Sequence, residues 1–304
     1  VQYGAKSGRY SATLTVAGQR KDLDIMMQSF LLLVALSYAR PELIVSTDWL
    51  AEHLDDPGVV VVDTRTRGYE DDHIPGAVHL DIATSRDRDN PPDFLPDIDT
   101  FVATLEELGI SNESRVIFYD DRGGIYGTRP WVLMQMLGLT NAAIVDGGWP
   151  KWVSESRPTS NVQPDVTRGS IAINRDNDWI AVADDVQAAI GDPDVELLDA
   201  RTEDEFSGAD LRNNPRGGTI PTATHLFWEE SLTGDFQQFR SGDELTALFD
   251  SRGIDSTDEI ITYCQGGGRA AHELFMLYLM GYDNVSLYLG SMEDWSRQPE
   301  RPLD

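Results

Sequence analysis

The sequence predicts two tandem α/β domains, each a parallel sheet flanked by helices, and three observations carry that prediction. The chain has 304 residues, beyond the ~250–300 at which a single apolar core usually stops growing. Several segments of the first half recur in the second, and a long-period repeat signals duplicated architecture. Helix-patterned stretches separate the recurring apolar runs, and strands alternating with helices imply a parallel sheet.

The repeat can be followed in chain order. Val59-Val60-Val61-Val62-Asp63-Thr64-Arg65 matches Val195-Glu196-Leu197-Leu198-Asp199-Ala200-Arg201, each an apolar run ending in Asp-x-Arg. Both read as buried parallel strands. His73 to Leu80 answers Gly218 to Leu226, a proline-containing turn feeding a further strand. Val116-Ile117-Phe118-Tyr119-Asp120 then faces Ile260-Ile261-Thr262-Tyr263-Cys264, so Asp120 occupies the position of Cys264. Asp146 to Trp152 parallels Leu289 to Trp295, where a strand turns into a short helix.

Helical patterns are expected at 47–54, 98–108 and 128–137, then at 183–190, 243–252 and 269–280. Ser46-Thr47-Asp48 and Ser241-Gly242-Asp243-Glu244 are capping signals; Gly109, Gly138, Gly253 and Gly281 stand where helices should end. The stretch Ser154 to Asp178, rich in Ser, Pro, Asn and Arg, reads as a linker with one edge strand at Ile171-Ala172-Ile173. The expected division is therefore a first domain over 41–153, a linker over 154–178 and a second domain over 179–304.

Residues 1–40 do not conform. Five cationic residues against Asp22 and Asp24 give them +3, whereas the whole chain carries −28. Their one apolar run, Phe30 to Leu36, is too short to span a bilayer and follows acidic residues unlike a secretory leader. It reads as an extended or mis-assigned N-terminus, with a leader starting near Met26 as the alternative.

Charge excludes some functions. With 52 acidic residues against 24 basic ones, the surface is too negative for a phosphate backbone, which argues against nucleic-acid binding. The acidic residues are dispersed rather than gathered in a tail, and only Lys6, Lys21 and Lys151 are lysines. Such a solvated acidic surface suits a salt-rich cytoplasm; a dedicated basic partner is the alternative reading.

Cys264 is the only cysteine, so no internal disulfide and no thiolate metal centre are available. A lone cysteine is ordinarily an apolar filler, but the context of this one is chemical. It ends the strand Glu259 to Tyr263 and is followed by Gln265-Gly266-Gly267-Gly268-Arg269 and a helical stretch. That is the usual ligand position of an α/β sheet. Three glycines permit positive φ and can turn several N–H groups toward one anion. The helix N-terminus and Arg269 should depress the thiol pKa and favour the nucleophilic thiolate.

On the duplication, the second-half cysteine and this loop, the sequence resembles the tandem rhodanese-type sulfurtransferases, the thiosulfate and 3-mercaptopyruvate sulfurtransferases, from about Pro41 to the C-terminus. The resemblance implies double displacement: the Cys264 thiolate takes the outer sulfur of a donor and hands it from a persulfide to cyanide or another thiophilic acceptor, a thiol or a thioredoxin-like protein. It implies no metal or organic cofactor; the acidic surface sets the expected location in the cytoplasm, with no membrane partner. The first half, with Asp120 at the nucleophile position, becomes a silent copy that supplies one wall of an interdomain cleft. Gln265, Gly266, Gly267, Gly268 and Arg269 match the family's active loop, with Arg269 contacting the donor's anionic group. Gln265-Gly266 matches neither the cationic residues of thiosulfate enzymes nor the small polar ones of mercaptopyruvate enzymes. Where relatives carry a substrate arginine, Thr202 to Phe206 offers carboxylates, and Arg212 or Arg216 is the expected substitute.

Rival readings have their own signatures. A cysteine phosphatase needs five residues between cysteine and arginine, but Gln265 to Gly268 are four, and Tyr263 stands where a histidine commonly precedes the nucleophile. A non-catalytic module that binds partners or senses redox state is the reading from another class; the intact loop at Cys264 opposes it. Asp63, Arg65, Asp199 and Arg201 recur in both halves, which points to a structural ion pair. Trp149, Trp152, Trp295 and the Phe275, Met276, Leu279, Met280 stripe read as core.

Overall fold

The computed structural model describes residues 38–304; the +3 charge, Phe30–Leu36 and Met26 readings of the N-terminal segment concern residues almost wholly outside that range. Val59–Asp63 (β2) and Arg115–Tyr119 (β4) form the centre of the first sheet. Ile44–Val45 (β1), Val78–His79 (β3) and Ala142–Val145 (β5) complete it in the order β1-β5-β4-β2-β3. All its pairings are parallel. Helices Thr47–His53 (α1), Ile98–Glu107 (α2), Ile125–Met136 (α3) and Gly148–Ser154 (α4) connect and flank the strands.

The second half repeats this plan. Ile180–Ala181 (β6), Val195–Asp199 (β7), Thr224–His225 (β8), Glu259–Tyr263 (β11) and Val285–Tyr288 (β12) align in the order β6-β12-β11-β7-β8, again all parallel. The helices are Ala183–Ala189 (α5), Glu203–Phe206 (α6), Gly242–Arg252 (α7), Gly268–Leu279 (α8) and Ser291–Trp295 (α9). An added hairpin, Leu232–Thr233 (β9) with Gln238–Phe239 (β10), has no counterpart in the first half. Even the register is duplicated: Asp63 pairs with Tyr119 and Asp199 with Tyr263. Asp120 and Cys264 therefore leave equivalent central strands at their carboxyl ends.

The expected helices form, with α3 beginning three residues before the anticipated Thr128. Gly124, at φ +89, ends the preceding loop and lets the helix start early. The expected edge strand at Ile171–Ile173 does not form; residues 161–176 have no regular secondary structure. The reason is local competition for main-chain donors. Ile171 N–H donates to Glu106 Oε1 and Ala172 N–H to Asn112 Oδ1, so side chains around the end of α2 take the hydrogen bonds that a ladder would need.

The repeated Asp-x-Arg pair braces each sheet. Asp63 accepts from Arg65 and from Tyr119 Oη, and Asp199 accepts from Arg201 and from Thr219 Oγ1. Arg65 reaches on to the Asp72 carbonyl and Arg201 to that of Gly218. These buried pairs pin the turn after the strand in both halves.

The two halves share one apolar core, which runs through helices α3 and α8. Trp131 of α3 stands edge-on to Phe275 of α8, ring centroids 5.0 Å apart. Trp152 and Trp295 are fully buried, while Trp149 is only partly so and stacks against Arg65 at 4.1 Å. Polar contacts reinforce the join. Asp146 at the end of β5 accepts from Phe239 N–H and Gln238 Nε2 of the hairpin, and His272 Nε2 lies 3.1 Å from the Gly123 carbonyl. The carboxyl ends of the two sheets are thereby held next to one another.

Candidate functional site

Cys264 follows β11 and is 1% exposed. Its own main chain is fixed before any loop contact is made: its N–H donates to Ser291 Oγ at 3.1 Å and its carbonyl accepts from Met292 N–H at 3.0 Å. The sulfur accepts from Gly267 N–H at 3.2 Å. Burial pushes the thiol up, but the Arg269 guanidinium and the N–H groups of Ala270, Gly266 and Gly267 together hold it below its ordinary value. Gly267 is the loop's only glycine at positive φ, +84°, and a Cβ there would lie 2.6 Å from Leu289 Cδ1. Glycine is needed at this position on both counts.

The other expected site residues are placed less simply. Gln265 exchanges two hydrogen bonds with Asn214, at 2.9 and 2.8 Å, so its amide is tied to the 208–218 loop. Arg269 is tied to an acidic partner within the second half. Each of its two terminal nitrogens donates to Glu205, Nη1 to Oε2 at 2.5 Å and Nη2 to Oε1 at 2.9 Å, and its charge acts on Cys264. Burial pushes Glu205 up, but Arg269 and Thr202 outweigh this and hold the carboxyl at about 2. The acidic Thr202 to Phe206 segment is therefore the mount for the loop arginine.

Arg216 is engaged by main-chain carbonyls. Its guanidinium donates to the carbonyls of Ser296, Arg301, Trp295 and Gln298, clamping the C-terminal segment. Those bonds occupy the donors a substrate would require. Arg212 stands on the rim, with its side chain 54% exposed and Nε 3.7 Å from Glu205 Oε1.

The first half has the same cradle with a different occupant. Asp120 Oδ1 accepts from the N–H groups of Arg122 and Gly124, and Oδ2 from those of Tyr126 and Gly127, at 2.7–3.2 Å. A carboxylate fills the nest that holds sulfur in the other half.

What the sequence reading missed is cationic. A cleft of about 550 Å³ is lined by Ile82, Ala83, Arg86, Arg88 and Arg129, all from the first half. A smaller recess of about 90 Å³ joins Ile82 and Arg129 to Ile125, Tyr126 and Gly268 of the loop after Cys264. Arg86 reaches the loop as well: a Cβ on Gly266 would lie 3.0 Å from Arg86 Nη1. Burial lowers Arg129 to about 10, with Arg86 acting in the same direction and Cys264 opposing it. One signal was available. The helix caps Gly124 and Gly267 align α3 with α8, which pairs Arg129 with His272, so this arginine has no duplicate and no shared structural duty.

Comparison with known proteins agrees with this layout. A family model described as the rhodanese-like domain matches residues 46–155 and again 182–298. A thiosulfate sulfurtransferase of Corynebacterium glutamicum is 32% identical over 88% of this chain and 92% of its own length. The sulfur carrier protein TtuD of Thermus thermophilus is 35% identical over 88% and 98%. The crystal structure of SseA from Escherichia coli, a 3-mercaptopyruvate sulfotransferase with the rhodanese fold, matches with a TM-score of 0.74 at 29% identity, covering 82% of this chain and 98% of that one. Two matched domains, and relatives aligned along most of their length, place this chain in the tandem rhodanese-like family.

Proposed function

We propose that this enzyme transfers sulfane sulfur from thiosulfate to cyanide or a thiol, carrying it as a persulfide on Cys264. The observation that carries the reading is the thiol at the strand end, with Gly267 N–H on its sulfur and its pKa held below the ordinary value. The thiolate attacks the outer sulfur of thiosulfate. A Cys264 S–S bond forms, the donor's S–S bond breaks, and sulfite departs with the electron pair. Cyanide then attacks the outer persulfide sulfur, a C–S bond forms, thiocyanate leaves, and the Cys264 thiolate is restored. The same loop N–H groups that face the thiolate are available to the persulfide, and an already ionised sulfur needs no general base.

The test is direct. Protein incubated with thiosulfate should gain the mass of one sulfur on Cys264, and adding cyanide should remove it and yield thiocyanate; Cys264→Ser should do neither. Failure to load sulfur from any donor refutes the reading. Comparing kcat/KM for thiosulfate and 3-mercaptopyruvate ranks the donors, and a preference for the latter would replace the donor without changing the persulfide step. The name of the Thermus relative supports a protein thiol as acceptor. The dispersed acidic surface, −28 over the chain, supports a salt-rich cytoplasm as the setting.

A further inference from the structure

In a chain of net charge −28, a cleft lined by three arginines calls for an explanation. Among the described residues Glu293 is the one carboxylate in ion-pair contact with them, 2.7 Å from Arg86 Nη1 and 3.7 Å from Arg88 Nε; Asp81 acts on Arg129 only at longer range. Arg129 donates to Ser85 Oγ at 2.8 Å and to the Ile82 carbonyl at 2.6 Å, and among the described residues no carboxylate lies within ion-pair distance of it. Arg86 is buried with its Nε unpartnered. A partly desolvated guanidinium held by neutral acceptors is costly unless an anion joins it.

We propose that the oxyanion part of the sulfur donor is bound by the silent half, by Arg129 together with Arg86 and Arg88, rather than by the active-loop Arg269. This rests on the persulfide reading of Cys264 and adds a donor class to it. Three guanidiniums face one ion-paired carboxylate, with Asp81 and the Cys264 sulfur acting on Arg129 at longer range; this leaves the cleft short of negative charge in direct contact, which favours a dianion such as thiosulfate over a monoanion such as 3-mercaptopyruvate. The layout divides the work between the copies. Glu205 holds Arg269 where it favours the thiolate, and the first half, freed of catalysis by Asp120, presents the forks that grip the departing sulfite. Arg86 touches the loop at Gly266 and Arg129 lines the recess with Gly268, so the anion site adjoins the loop that carries the sulfur.

The experiment uses two alkylating reagents that differ in charge, so it reads the anion site without requiring sulfur transfer. Full-length protein, Arg129→Met and Arg88→Gln are treated with iodoacetate and with iodoacetamide, and the modification rate of Cys264 is followed by mass spectrometry. Any change in thiol ionisation affects both reagents alike; only the anion site affects their ratio. For Arg129→Met the iodoacetate-to-iodoacetamide ratio should fall roughly 30-fold, the loss of a charge-assisted hydrogen bond out of water. For Arg88→Gln, on an exposed side chain that folding does not need, it should fall about threefold. kcat/KM should drop further for thiosulfate than for 3-mercaptopyruvate in Arg129→Met, mainly through KM. An unchanged ratio in both variants, or equal losses with the two donors, overturns the proposal. Retained reagent selectivity with no sulfur loading from any donor would instead sink the sulfurtransferase reading and leave the anion site standing.

Discussion

Replacing Asp120 by alanine separates what the first half does for stability from what it does for catalysis. The carboxylate accepts four main-chain N–H groups, and those of Gly124 and Gly127 are fully buried. Removing the side chain strands these two donors at ~1–3 kcal/mol each. Against that, burial raises the Asp120 pKa despite the four N–H bonds, so deleting the charge recovers part of its desolvation cost. The balance is a loss of about 3 kcal/mol, with Asp120→Asn intermediate because its amide keeps one acceptor oxygen. Urea unfolding measures the loss, and hydrogen exchange at the Gly124 and Gly127 amides localises it. Sulfur transfer by the folded fraction should stay within a factor of ~3 of the parent, under about 0.7 kcal/mol of activation energy. A folded Asp120→Ala protein without activity would refute the division into silent and active halves. A stability change below ~0.5 kcal/mol would refute the role of the carboxylate as the plug of the nest.

Two further outcomes follow from the Glu205–Arg269 pair. Arg269→Gln withdraws the largest of the interactions that lower the Cys264 thiol, so the thiolate forms only at higher pH and the acid limb of the kcat/KM profile moves up; an unmoved limb would show that the loop N–H groups alone set the ionisation. Glu205 is held at about 2 in the folded protein against ~4.3 in an unfolded chain. Its folded value is depressed, so its contribution of about 3 kcal/mol is complete above pH ~5 and lost as pH falls toward 2. Glu205→Gln should remove that contribution near neutrality and flatten the acid side of the stability curve, as read by denaturant midpoints between pH 3 and 7; a parallel downward shift of the whole curve would assign the loss to packing.

Much of this protein could be read in the order of its residues because the relevant signals are local. The Asp-x-Arg ends of β2 and β7, the apolar runs of β4 and β11 and the glycines after them are contiguous patterns, and duplication let each copy check the other. The repeat also set Asp120 opposite Cys264, and the nest of four N–H groups on that carboxylate explains the exchange physically. The linker was harder. Ile171-Ala172-Ile173 has the composition of a strand, but its N–H donors go to Glu106 and Asn112, more than 50 residues earlier, and no local pattern records such a competitor.

By itself the sequence determined the doubled parallel-sheet plan, the placement of Cys264 at a strand end, and the glycine loop ahead of a helix, since strand, turn and helix preferences act over a few neighbouring residues. Only the tertiary structure decided how the arginines are used. Arg269 and Arg216 look equally available in a one-dimensional reading, yet Glu205 occupies the first and four carbonyls of the C-terminal segment occupy the second. Arg86, Arg88 and Arg129 lie 135 or more positions from Cys264 in the chain. Arg86 meets the Cys264 loop at Gly266 and Arg129 at Gly268 because α3 and α8 pack together through Trp131 and Phe275. Charge acts through space, and the partner that decides each arginine's role is supplied by packing between segments distant in sequence.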